Sequence, residues 1–225
     1  MSPPPRAAQL VPSILSADFG HLASELAAAA GAGADRFQVD IMDGHFVPNL
    51  SMGPMFLAAT RRHVAQPIEA HLMVSRPEQW VRPCAQAGAN VIIVHAEATV
   101  HLHSLLQQIR DAGAAPGVAL NPGSPLALIE ESLDQAALVL LMTVEPGFGG
   151  QALIPGVLGK IQRLRQHLDQ RGLDCDIEVD GGIEAATIAA ARRAGANLFV
   201  AGSAVFGHPQ GPAAGLEVLR AALQA

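Results

Sequence analysis

The chain has 225 residues, of which 50% are hydrophobic and 15% charged, with a net charge of −6. This length suits a single α/β barrel, a fold that runs to about 200–250 residues without dividing, and the apolar share supplies a large core. The acidic balance argues against nucleic acid, which needs massed Lys and Arg to displace counterions, and no apolar stretch approaches the roughly 18 residues of a membrane span.

Met1-Ser-Pro-Pro-Pro5 lacks the apolar run of a secretory signal. Residues 1–9 are therefore expected as a disordered tail and 10–225 as one domain, in a reducing cytoplasm. Apolar runs then predict eight strands: Leu10–Leu15, Arg36–Ile41, Ile68–Met73, Asn90–His95, Pro116–Leu120, Leu138–Met142, Asp176–Val179 and Leu198–Ala201. Helical spacing lies between them. Leu22 and Leu26 follow Asp18, an expected N-cap. Leu158, Ile161, Leu164 and Leu168 share a face, with Gly172 as the stop, and Leu216, Leu219 and Leu223 repeat the pattern near the C-terminus.

Ala32-Gly-Ala-Asp35, Ala87-Gly-Ala-Asn90, Ala112-Gly-Ala-Ala115 and Ala194-Gly-Ala-Asn197 each close a helix-like stretch and precede an apolar run. Glycine there can take the left-handed conformation that ends a helix. Repeated βα units require a parallel sheet. No G-x-G-x-x-G follows the first strand, which disfavours an open doubly wound sheet. The expected fold is a single (β/α)₈ TIM barrel with its active site at the C-terminal ends of the strands.

Ser13, Asp40, His71, His95, Asn121, Thr143, Asp180 and Ser203 stand at predicted strand ends, which a barrel brings to one mouth. A lone Asp there is commonly a helix cap or turn former; the convergence is what points to chemistry. Asp40 and Asp180, on strands two and seven, can face one another across a substrate. Two such carboxylates can take a proton from one face of a carbon and return one to the other, provided their proton affinities are pushed apart. A carbon acid beside a ketone needs a Lewis acid, and His71 with the two aspartates forms a mixed ligand set for a divalent cation.

Glycine loops follow strands six, seven and eight: Thr143–Gln151, Asp180–Ile183 and Ala201–Ala204. Their N–H groups can turn toward an anion, and barrels often hold phosphate in this sector. The only lysine, Lys160, falls inside a helical pattern away from any strand end, so Schiff-base chemistry has no amine in the mouth. Met42, Met52, Met73 and Met142 are candidates for an apolar lid, and Asp43–Asn49 for a loop that closes over the mouth. His95 and Glu97 read either as partners behind the ligands or as plain satisfied polar groups, the latter favoured, and His45 as a loop residue rather than a ligand. His21, His63, His101, His103, His167 and His208 are expected to face solvent. Cys84 and Cys175 read as packed thiols.

Pro12-Ser-Ile-Leu-Ser-Ala-Asp-Phe19, Val39-Asp-Ile-Met-Asp-Gly-His-Phe-Val-Pro-Asn49, His71-Leu-Met-Val74, Leu120-Asn-Pro-Gly-Ser-Pro-Leu126, Met142-Thr-Val-Glu-Pro-Gly-Phe-Gly-Gly-Gln151, Glu178-Val-Asp-Gly-Gly-Ile183 and Ala201-Gly-Ser-Ala-Val-Phe206 together resemble ribulose-phosphate 3-epimerase. The match runs in order from Pro12 to Phe206. The resemblance implies interconversion of D-ribulose 5-phosphate and D-xylulose 5-phosphate, in the pentose phosphate pathway or the Calvin cycle. It implies Asp40 and Asp180 as the two acid/bases, acting through a metal-stabilised 2,3-enediolate, and Ser13 and His71 as substrate contacts. Gly147, Phe148, Gly149, Gly150, Gly181, Gly182, Gly202 and Ser203 would hold substrate oxygens and phosphate. One divalent cation is implied (zinc, manganese, iron, cobalt or magnesium), with a sugar phosphate as partner and a homo-oligomeric assembly.

One position departs. The family usually carries His two residues before the Asp of strand two, as a further metal ligand, and this chain has Gln38. An amide carbonyl is a weaker ligand than imidazole for zinc-like ions, so a weaker site or a more oxygen-preferring ion is expected. The alternatives are the same chemistry on a phosphorylated hexulose such as allulose 6-phosphate, or a non-catalytic sugar-phosphate binder. Two opposed proton-transfer groups argue against the binder.

Overall fold

The structure, a computed structural model, describes residues 6–224. Eight parallel strands form one sheet: β1 (Gln9–Pro12), β2 (Phe37–Met42), β3 (Ile68–Met73), β4 (Val91–His95), β5 (Ala115–Leu120), β6 (Leu138–Met142), β7 (Asp176–Asp180) and β8 (Leu198–Ala201). Every consecutive pair from β2 to β8 is hydrogen-bonded, and β8 returns to β1. A parallel bridge between Ser13 and Gln38 brings β1 against β2 and nearly closes the barrel. Around it run α1 (Leu22–Gly31), α2 (Pro54–Arg61), α3 (Val81–Gln86), α4 (Leu102–Asp111), α5 (Val157–Arg171), α6 (Ile188–Ala194), α7 (Ser203–Phe206) and α8 (Pro212–Gln224). Among the described residues no helix is long and apolar enough to cross a membrane.

The strands follow the apolar runs because both of their faces are interior. Phe37, Val39 and Ile41 of β2, Ile68, Ala70 and Leu72 of β3, and Ile177 and Val179 of β7 point outward into the main core beneath the helices. The alternate residues fill the barrel. From β4 to β6 that filling is apolar, with Val91, Ile93, Ala119, Leu138, Leu140 and Met142. On the β2, β3 and β7 side it is polar, with Gln38, Glu69 and Glu178 all fully buried. Alternation along a pleated strand stacks these residues in layers, two positions below the strand-end groups.

Several expectations are corrected. The first strand ends at Pro12 rather than Leu15, because the Ser13 hydroxyl accepts from the Leu15 N–H and turns the chain into a 3₁₀ turn over Ile14–Ser16. Asp18 does not cap α1: His21 occupies that position, and Asp18 instead accepts from the Gly20 N–H and faces the His21 ring. No α-helix joins β5 to β6; two 3₁₀ segments, Leu126–Leu128 and Glu130–Gln135, make that crossing. Met1–Pro5 lies outside the described residues. Of the rest of the expected tail, Gln9 already belongs to β1, and the Arg6 guanidinium pairs with Asp174 and Asp176.

Gly33, Gly88, Gly113 and Gly195 all have the positive φ expected of helix stops. Gly172 closes α5 with φ 63° in the same way. Both cysteines are buried, and burial lifts their thiols to about 12, so they stay protonated and inert. His167 and His208 are half-buried rather than solvent-facing. His167 Nδ1 lies 3.6 Å from a Glu130 carboxylate oxygen, and the His208 ring accepts from the Gln210 N–H.

Candidate active site

Asp40 ends the polar column of β2, His71 that of β3 and Asp180 that of β7. Register places Asp40 beside His71 directly, while Asp180 reaches them from across the barrel. His71 Nδ1 lies 2.9 Å from Asp40 Oδ1 and 3.7 Å from Asp180 Oδ2. One donor atom from each of the three residues falls within 4.8 Å of the other two. The sequence therefore named three residues, far apart in the chain, that the fold does bring together.

The donor set fits a divalent cation in a second respect, the orientation of its imidazole. His71 Nε2 lies 2.9 Å from His95 Nε2. Two ring nitrogens at that separation need one hydrogen between them. When His71 carries it, His71 Nδ1 has no hydrogen to give Asp40 Oδ1, 2.9 Å away, and is the lone-pair atom that a cation, rather than a hydrogen bond, would satisfy. Burial pushes His95 down to about 4, so it is a neutral ring able to accept that hydrogen. His95 Nδ1 then turns to Glu97 Oε2, 3.4 Å away, a long contact between two atoms with no other partner among the described residues. Burial would raise the Glu97 carboxyl, but His95, Ser124 and the Asn121 N–H together bring it down to about 2. His95 and Glu97 thus stand behind His71 as the outer partners that fix a ligand's tautomer, not as incidental polar groups.

Burial, and then the adjacent Asp40 carboxylate, push Asp180 up to about 7. The Ser13 hydroxyl donates to Asp40 Oδ2. Gln38 sits one layer below, and its side-chain nitrogen donates to both Asp40 Oδ1 and Asp180 Oδ2, at 2.8 Å each. Gln38 as placed therefore turns hydrogens, not its carbonyl, toward the ligand atoms.

The cleft above is lined by Ser13, Asp40, Asp180 and the three glycine loops, including Gly147, Phe148, Gly149, Gly150, Gly181, Gly182, Gly202 and Ser203. His71 lies beneath its floor, fully buried. Glycine is structurally required at Gly182: its φ is 64°, and a Cβ there would fall 2.3 Å from the Leu153 backbone nitrogen. Met42, Met73 and Met142 line the cleft as expected, whereas Met52 packs into the outer core. The Asp43–Asn49 loop is folded onto the mouth. Val47 packs against Met42 and Met73, and the Asn49 amide donates to the Gly147 carbonyl at 2.8 Å. His45 is an exposed loop residue. Lys160 departs from expectation: it is buried and donates to the Asn121 and Pro122 carbonyls just beyond β5, outside the cleft lining.

A family model described as "Ribulose-phosphate 3 epimerase family" matches residues 9–206. "Ribulose-phosphate 3-epimerase 1" of Cupriavidus necator is 50% identical over 208 residues, covering 91% of this chain and 86% of that protein. "Ribulose-phosphate 3-epimerase" of Bacillus subtilis is 48% identical over 200 residues, covering 88% of this chain and 92% of its own. Among solved structures, KGPDC from Streptococcus mutans superposes with a TM-score of 0.73 at 14% identity over 97% of this chain and 98% of that one, a likeness of fold alone.

Proposed function

Since the chain belongs to the ribulose-phosphate 3-epimerase family of enzymes, we propose that its barrel mouth interconverts D-ribulose 5-phosphate and D-xylulose 5-phosphate by moving the proton on C3. The observation that carries this reading is the placement of Asp40 and Asp180, from opposite sides of the barrel, on one cleft with donor atoms within 4.8 Å. One carboxylate takes the C3 proton from one face, giving an enediolate. The other, carrying a proton, returns it on the opposite face. Burial and the adjacent Asp40 carboxylate push Asp180 up to about 7, so Asp180 can carry a proton near neutral pH and give it up again, which suits it to act as acid in one direction and base in the other.

Asp40, His71 and Asp180 would hold a divalent cation. When bound, such an ion supplies Lewis-acid stabilisation for the charge that develops on the ketose oxygens. Ser13 holds Asp40 in place through its hydroxyl. The phosphate is assigned to the N–H groups of Gly147–Gly150, Gly181–Gly182 and Gly202–Ser203, where glycine allows the backbone to approach an anion. Met42, Met73, Met142 and Val47 keep water from the reacting carbon. The same reading carries with it a phosphorylated ketose as partner, a homo-oligomeric enzyme and a cytoplasmic location.

Incubation with ribulose 5-phosphate in deuterated water, with a divalent cation added, tests the proposal. Deuterium is expected at C3 together with xylulose 5-phosphate. Its absence with manganese, zinc, cobalt, iron and magnesium alike would leave a sugar-phosphate binder as the better description.

A further inference from the structure

Gln38 is fully buried, and its side-chain nitrogen is bonded to Asp40 Oδ1 and Asp180 Oδ2. These are the same oxygens that His71 Nδ1 faces, at 2.9 and 3.7 Å. The amide is oriented with its NH₂ end toward the two acids because an ionised carboxylate oxygen accepts and cannot donate, whereas the amide oxygen would meet it lone pair to lone pair. Its other end, Oε1, is buried with no hydrogen-bond partner among the described residues. The neighbours that share its layer, Glu69 by strand register and Glu178, also carry buried oxygens without partners there. The amide has therefore given up satisfaction of its oxygen to place both hydrogens between two carboxylates.

Resting on the epimerase reading of this site, we propose that Gln38 is a positioning residue that clamps Asp40 and Asp180 together in the ion-free enzyme, and that it opposes rather than assists metal binding. Both N–H hydrogens carry positive partial charge and point to the lone pairs that a cation would take. A cation centred on Asp40 Oδ1, Asp180 Oδ2 and His71 Nδ1 meets those hydrogens head on. The amide must let go before the ion can be seated. In exchange, the two carboxylates stay close without an ion, ready for one. Position 38 also anchors the barrel seam through the Ser13–Gln38 bridge, so the backbone beneath the clamp is fixed and the adjustment falls to the side chain.

The test measures ion affinity, without sugar, on protein freed of metal by chelator dialysis. Mn²⁺ and Zn²⁺ are titrated by competition with a fluorescent chelator into the wild type, Gln38→Leu and Gln38→Asn. Leucine offers neither hydrogen nor oxygen, and asparagine is too short to span both carboxylates. Removing the clamp should tighten both ions about tenfold or more, the scale of a lost charge-assisted hydrogen bond. Equal or weaker binding by a folded variant would overturn the proposal, because a residue that donates its oxygen to the ion must weaken binding when removed. The wild type gives a second readout that needs no variant. The Gln38 side-chain amide signals in a ¹H–¹⁵N spectrum should be protected from exchange without metal and should move when Zn²⁺ is added; signals indifferent to Zn²⁺ would count against the clamp. Because no reading here uses turnover, a failed deuterium-exchange assay would sink the epimerase reading and leave this result interpretable.

Discussion

On the proposed mechanism, replacing Asp40 or Asp180 by asparagine removes one proton-transfer group and leaves the other facing the same carbon. With cation saturating, each variant should lose epimerisation by roughly 10²–10⁴-fold. Each should still exchange the C3 hydrogen of one sugar with solvent, and the sugar that exchanges should differ between the two variants. Proton spectra in deuterated water read both quantities; loss of exchange from the same sugar in both variants contradicts a two-faced mechanism. Behind His71, Glu97→Gln weakens the pull on His95 that orients the His71 ring, a candidate ligand. Ion affinity should fall by about 10–100-fold, the usual cost of losing an outer partner, as titration of the metal-free protein would reveal. Asp40, His71 and Asp180 were legible in the sequence because each is polar where an apolar run stops. Gln38 stood out only as a departure from the family's usual His, and Glu69 and Glu178 did not stand out at all. A polar residue two places earlier in a strand reads as the wet face of a half-buried sheet, and only closure of the barrel makes that face interior.

Among the elements, the strands were readable to within a few residues, since runs with both faces buried leave continuous apolar text. The Ala-Gly-Ala junctions were readable for a separate reason, the positive φ that glycine tolerates at a helix end. The β5–β6 crossing was not, because 3₁₀ segments as short as Leu126–Leu128 show no helical period. Nor did spacing show how the β2–α2 loop is held. Asp43 accepts from the His45 and Phe46 N–H groups and from both the N–H and hydroxyl of Ser75. Partial burial would raise its carboxyl, but these four donors outweigh that and hold it well below the usual carboxylate range. A depressed folded-state pKa means the stabilisation is complete above the unfolded value near 3.9 and is lost as pH falls toward the folded one. Asp43→Asn should therefore melt below the wild type at pH 7, and the gap should begin to narrow below about pH 4 and go on narrowing beneath pH 3, toward the lowered folded-state value. A gap independent of pH would show that the loop does not depend on that charge. The same substitution should raise KM more than it lowers kcat, because the loop carries Val47 and Asn49 onto the mouth.

Across the whole molecule, the polar interior divides into a working end and a foundation. At the N-terminal face of the strands, Arg36 donates to Glu69 at 2.7 Å and to Gln9 at 2.8 Å, and its second terminal nitrogen lies 3.7 Å from Asp176. Glu69 is fully buried, and burial pushes its carboxyl up; Arg36 beside it opposes that rise and supplies the compensating charge for its ionised form. Breaking a buried pair from one side costs about 3–5 kcal/mol, because the remaining charge is stranded. Arg36→Met should accordingly lower the melting temperature by roughly 6–20 °C in a chain of this size. Removing Glu69's charge as well, in Arg36→Met with Glu69→Gln, should recover much of that loss, since neither partner is then left ionised in the interior. Barrels separate stability at this face from chemistry at the other, so the folded single variant, assayed well below its melting temperature, should keep its turnover. Calorimetry paired with epimerase kinetics decides it. A single variant that melts normally would mean Glu69 needs no cation. One that folds but has lost activity would mean that the two ends of the barrel are coupled through the Glu69–Gln38 layer.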